Sequence, residues 1–195
     1  MGKGEALRDR TAEAIIESAA AVLAERGDAA SMEEIANAAG VGRATLYRYF
    51  ANRTEMLSAM ADVGARELAD RIREADLQTV PFEEAIARLA RGIIATGSKY
   101  IALGTDGTRR TDSAEVIEPI RALFGRAIAD GSLRRGHSPD LLMSLFSGLI
   151  RGAIEATRGH RLGIEEAASA VTDLFLRGVS AEPSPPRAKQ ERSAR

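Results

Sequence analysis

Apolar residues recur along this chain at intervals of three and four with polar residues between them, and the alternation at period two that marks a half-buried strand is scarce. The first stripe, Ile15, Ile16, Ala19, Val22 and Leu23, predicts a helix from about Asp9 to Arg26, with residues 1–8 frayed and Gly27 as its stop. A short helix follows from Ser31, where the Ser31 hydroxyl and the Glu34 carboxylate stand at capping-box spacing, through Ile35, Ala36 and Ala39. Gly40, Val41 and Gly42 then make a tight turn, since glycine takes the left-handed backbone without steric cost. Arg43 to Phe50 forms a second short helix, with Leu46 and Phe50 on one face and Ala44 and Arg48 on the opposite one. Its flanks carry Arg43 with Tyr47, and Thr45 with Tyr49.

Longer amphipathic helices follow. Asn52 with Glu55 caps one from about Arg53 to Ala75, striped by Met56, Leu57, Met60, Val63, Leu68 and Ile72. Pro81 opens the next at a first-turn position, and Ile86, Leu89, Ile93, Ile94 and Ile101 carry it to about Leu103. Gly104 to Thr111, with two glycines and the paired Arg109 and Arg110, reads as a loop. Ser113 caps a helix to about Asp130, which Pro119 either kinks or truly starts. Ser138-Pro139 opens an apolar helix to about Thr157, in which Ser144, Gly148 and Gly152 recur every four residues and leave one side thin enough for another helix to come close. The last helix, Ile164 to Val179, presents Ala167, Ala168, Val171, Leu174 and Phe175, and Pro183, Pro185 and Pro186 then mark a disordered tail. The expected architecture is all-α with about nine helices: a three-helix unit over residues 1–52, a larger helical domain over 53–180, and the tail over 181–195.

Composition narrows what these helices do. With 195 residues the chain can bury a sizeable core, and having no Cys it has no disulfide, thiolate nucleophile or cysteine metal site, which fits a reducing cytosol. No apolar run approaches the roughly 20 residues that span a bilayer, and Met1 to Arg10 is charged, so a soluble cytoplasmic protein without a membrane partner is expected. His137 and His160 stand alone, and no carboxylate pair departs from ordinary charged helix faces, so neither an enzyme nor a metal or cofactor is expected. The net charge of -1 excludes a protein coated in basic residues, yet from Ile35 to Thr54 there are three arginines and no acid. Positive charge is therefore focused on the second short helix, whose exposed face suits base edges and whose flanks can reach phosphates on either side of a major groove.

On these residues, Ala14 to Leu57 resembles the N-terminal domain of the tetracycline-repressor (TetR) family of bacterial transcription regulators: the core EEIANAAGVGRATLYRYF, a helix ending in ERG shortly before Ser31, and the basic Arg53 opening the fourth helix. The resemblance implies a ligand-responsive, DNA-binding regulator, a repressor released from a palindromic double-stranded operator by a small molecule of unknown identity. By that resemblance Arg43, Ala44 and Tyr47 match base-facing positions; Thr45, Tyr49 and Arg53 match phosphate-contacting ones; and Arg48 is a candidate for either role. Met32 and Glu33 stand where some members place DNA-touching groups, so contacts from the first short helix are expected to be fewer. The family also implies a homodimer built on the last two helices, with Ser144, Gly148, Gly152, Val171 and Phe175 as the candidate interface, and reading helices roughly 34 to 36 Å apart. The effector would sit among the middle helices, with Met60, Arg91, Ser98, Tyr100 and Phe124 as candidate pocket residues, and would shift the helix from Arg53 to Ala75. The competing reading is a helical adaptor that binds another protein through the apolar bundle face and DNA only weakly; specific, salt-sensitive DNA binding separates the two.

Overall fold

The computed structural model describes residues 3–100, 114–133, 136–157 and 162–179. Among them lie eight α-helices and no strand: α1 (Lys3–Arg26), α2 (Met32–Ala38), α3 (Arg43–Tyr49), α4 (Arg53–Glu74), α5 (Phe82–Lys99), α6 (Ala114–Ala129), α7 (Pro139–Thr157) and α8 (Ile164–Val179). Helix α1 starts at Lys3, well before the expected Asp9, because no breaker interrupts Glu5 to Arg8 and good helix formers propagate a helix toward its terminus. Pro119 lies inside α6 and does not mark its start, so the missing amide falls in the second turn and leaves only a carbonyl near the helix entry unpaired. The predicted loop Gly104 to Thr111 with Arg109 and Arg110, the Ser113 cap, His160 and the tail 181–195 lie outside the described residues.

Local chemistry sets the helix ends. The Ser31 hydroxyl accepts from the Glu34 amide at 3.2 Å while the Glu34 carboxylate accepts from the Ser31 amide at 2.8 Å, completing the capping box. Asn52 accepts from the Glu55 amide at 2.9 Å to start α4, and the Ser138 hydroxyl accepts from the Leu141 amide at 3.2 Å, with Pro139 as the first residue of α7.

The helices enclose two apolar cores. In the smaller, Ile15, Ala19 and Leu23 of α1 meet Ile35, Leu46, Phe50, Met56 and Met60. In the larger, α4 from Leu68 onward packs with α5, α6, α7 and α8 around Phe124, whose ring makes edge-on contacts with Phe82 (6.0 Å), Phe146 (6.1 Å) and Phe175 (5.8 Å). Helix α4 therefore runs through both cores and connects them mechanically. No helix among the described residues is long and apolar enough to cross a membrane.

Thr96 of α5 is the one buried polar side chain among the described residues, and its hydroxyl has no hydrogen-bond partner. An unpaired buried hydroxyl costs about 1–3 kcal/mol, whereas a methyl of the same shape costs nothing to desolvate. Thr96→Val is expected to raise the denaturant midpoint by an amount equivalent to about 1 kcal/mol; a lowered midpoint would show that the hydroxyl does find a partner in solution.

Candidate nucleic-acid interface

Helix α3 is held by the turn that precedes it. Gly40, with φ at 65°, closes α2: its amide donates to the Asn37 carbonyl at 3.1 Å and that of Val41 to Ala36 at 3.0 Å, the paired bonds of a Schellman ending. Val41 then tucks against the smaller core, and α3 starts at Arg43 after the extended Gly42. Leu46 is fully buried and Phe50 nearly so, which anchors the inner face. Arg43, Ala44, Tyr47 and Arg48 are exposed, while Thr45 and Tyr49 are half-buried on the rim. Arg43 lies over the Tyr47 ring and Arg48 over the Tyr49 ring, each with its guanidinium carbon 5.7 Å from the ring centroid. Such stacking leaves the guanidinium edges free to donate while restricting their rotamers. The face thus offers two pre-oriented planar cations, a phenol and a methyl, the groups that read guanine edges, phosphates and the thymine methyl.

Arg53, the expected phosphate contact at the start of α4, makes a bond within the protein. Its guanidinium turns inward and donates to the Ala30 carbonyl in the α1–α2 connection, with Asp28 a further 3.9 Å away. A helix N-terminus that must also fix the loop below it leaves the long side chain committed to the protein. Sequence spacing shows no sign of this bond, which spans 23 positions. Glu34 has a second role too: it accepts from Arg26 of α1, and its carboxyl is held below the usual range by the Ser31 bonds and then by Arg26. Met32 packs on the smaller core and Glu33 is exposed and acidic, so α2 presents no cation toward a duplex.

On α7, Ser144, Gly148 and Gly152 are exposed as the periodicity predicts, but Val171 and Phe175 are not interface residues. They point into the subunit's own core, where the Phe175 ring stands 5.0 Å from that of Phe146. The stripe Ala167, Val171, Phe175 is the inner face of α8. Its outer face carries Leu174, 64% exposed, and α7 adds Leu141 and Leu145.

The five candidate pocket residues do not converge. Met60 belongs to the smaller core and Phe124 to the larger. Arg91 is exposed and paired with Glu165 of α8 at 2.9 Å, and the Ser98 hydroxyl is bonded to that of Thr157 at 2.7 Å. Tyr100 alone of the five lines an open groove of about 680 Å³ between α1, α4 and the end of α5, among Glu13, Glu17, Arg66, Glu67 and Lys99. There burial by itself pushes the Glu67 carboxyl up, but bonds from Lys99 and Arg71 outweigh it and hold the group below its ordinary value. A helical wheel says which residues point inward, not which of two cores they enter. Among the described residues no cluster of His, Asp and Glu could hold a metal ion.

Comparison with known proteins agrees with this geometry. Residues 15–60 match the profile described as bacterial regulatory proteins, tetR family. The chain is 26% identical over 179 residues to the HTH-type transcriptional regulator NfxB of Pseudomonas aeruginosa, covering 86% of this chain and 94% of that protein. It is 38% identical over 91 residues to the HTH-type transcriptional repressor LfrR of Mycolicibacterium smegmatis, covering 46% of this chain and 47% of the relative. The crystal structure of LfrR in complex with proflavine superposes with a TM-score of 0.70 at 25% identity, covering 89% of this chain and 99% of that one.

Proposed function

As a DNA-binding transcriptional regulator of the tetR family, to which residues 15–60 belong, this chain acts, we propose, as a homodimeric cytoplasmic repressor that a small molecule releases from a palindromic operator. The observation that carries the reading is the exposed face of α3, where Arg43 and Arg48 are pre-stacked on tyrosines in a stretch from Ile35 to Thr54 without an acid. Residues 1–52 read DNA, with Arg43, Ala44 and Tyr47 toward base edges, Thr45 and Tyr49 toward phosphates, and Arg48 in reach of both. Residues 53–180 pair the subunits through the outer faces of α7 and α8 and bind the effector. Electrostatics favours pairing: the two exposed arginines of α3, on a chain of net charge -1, contact few phosphates, and two readers about one helical turn apart double the count.

Selection of duplexes from a randomised pool tests the reading: an inverted repeat should emerge, bound with a steep salt dependence. On that duplex Arg43→Ala and Tyr47→Ala are each expected to cost about 1–3 kcal/mol, with Arg43→Ala also relaxing base preference within each half-site. Binding by both variants equal to the parent would remove α3 from the interface, and the absence of any salt-sensitive specific complex would leave the adaptor reading. Because LfrR is seen with proflavine, that planar aromatic cation is the first effector probe. It should raise the melting temperature of this protein and weaken the selected complex.

A further inference from the structure

Helix α5 is anchored in a different core at each end. Its first residue, Phe82, packs edge-on against Phe124 in the larger core, whereas Tyr100, which closes the helix, is 7% exposed in the smaller one. Among the described residues Tyr100 is the only buried member of that smaller core from beyond α4. It fits because α4 presents Gly64 opposite it: a Cβ there would stand 3.0 Å from Tyr100 Cδ2 and 3.2 Å from Cγ. The ring thus lies on bare α4 backbone, one turn past Met60. One turn further, Glu67 Oε2 accepts from the Tyr100 hydroxyl at 3.2 Å and from Lys99 at 2.9 Å, while the Lys99 ammonium stands 5.2 Å from the Tyr100 ring centroid. Ring on glycine sets the approach of the two helices, and the two hydrogen bonds restrict their rotation about it.

Helix α4 is also the arm that holds the reader, because Arg53 at its first turn is bonded to the Ala30 carbonyl between α1 and α2. From Gly64 to Arg53 is eleven residues, roughly 16 Å of helix. A rotation of about 10° at Tyr100 moves that end by about 3 Å, close to the 3.4 Å rise of one base pair. A helix angle set at one ring therefore converts into operator spacing in units of about one step.

We infer that Tyr100 is a positioning residue for DNA binding: its ring, seated on Gly64, sets the angle of α4 and thereby the separation of the two reading helices in the dimer. The inference rests on the dimeric, palindrome-binding function proposed above. The test uses the full chain and four kinds of duplex: the selected palindrome, a single half-site, and palindromes with half-sites moved apart or together by one and by two base pairs. Tyr100→Ala removes the ring. Gly64→Ala leaves it in place but adds a methyl that must push it outward. Both are expected to remain dimers by light scattering and to bind the half-site as the parent does, but to lose about tenfold on the parental palindrome and to discriminate less among the spacings. Tyr100→Phe, which keeps the ring on Gly64 and the Lys99–Glu67 bond and loses only the hydroxyl, should retain most of the parental preference.

A residue that merely stabilised the reading unit would lower half-site and palindrome binding together, and that result overturns the inference. So does an unchanged spacing preference in both variants. Should Tyr100→Ala fail to fold, Gly64→Ala decides the matter alone. A parent protein that prefers no palindrome over its half-site overturns the dimeric reading and this inference with it, whereas a spacing-selective parent with spacing-selective variants overturns the inference only.

Discussion

A Gly148→Leu protein is expected to be a folded monomer that no longer forms the palindrome complex. Within the subunit the substitution is harmless: Gly148 is exposed on α7, and a Cβ there would meet no heavy atom within 4 Å. Leucine is also a far better helix former than glycine, which costs about 0.8–1.0 kcal/mol relative to alanine, so the isolated chain should gain stability. In the proposed dimer the bulk is felt by a partner helix drawn close along Ser144, Gly148 and Gly152, where it overpacks the contact. Losing the second reader then forfeits an avidity of about 10²–10⁴. Sizing with light scattering, with circular dichroism as the folding control, gives the result; a dimeric variant would move the interface to another face. Gly97 supplies the contrast, because a Cβ at that position collides with Ile154 of the same subunit. Gly97→Leu should therefore damage the fold before it affects association.

Phe124→Ala is expected to cost about 3–5 kcal/mol, against a total stability of about 5–15 kcal/mol for a domain of ordinary size. Phe124 is 0% exposed and its ring is shared among Phe82 of α5, Phe146 of α7 and Phe175 of α8, so truncation opens a cavity where four helices meet. Their rings are edge-on to it, and none can swing in to fill the space without breaking its other contacts. Guanidinium or urea unfolding measures the loss. A cost below about 1 kcal/mol would mean that Phe124 lines a compliant effector cavity, the role its position on α6 suggests from sequence.

Most of the reading unit is legible in the sequence. The Ser31–Glu34 capping box and the left-handed Gly40 depend on contacts no more than five residues apart, and residue type at such spacing dictates geometry, while the helical period puts Leu46 and Phe50 on one face that α1 then covers. The exposure of Arg43, Ala44, Tyr47 and Arg48 follows from the same helical period. The bond from Arg53 to the Ala30 carbonyl is not legible in the sequence for the opposite reason: Ala30 lies in another connection, 23 positions away.

The larger half was legible as helices but not as an arrangement. Val171 and Phe175 carry the right period for a buried stripe, yet a period does not say whether the burying surface is the same chain or its copy. Only the packing of α8 against α5 and α7 assigns them inward and leaves Leu174 outward. Met60 and Phe124 likewise share a character and a period but enter different cores.

What the sequence by itself determined is therefore the set of helices, their caps, the glycine turn and the chemistry of the reading face, because each is decided by backbone preferences and by neighbours within a turn or so. What only the tertiary structure decided is which surface each helix gives to its own chain, where the long arginine goes, and that Tyr100 crosses from one core to lie on Gly64 of α4. Those outcomes depend on close packing between segments dozens of residues apart, where a single missing side chain opens the one place a ring can enter.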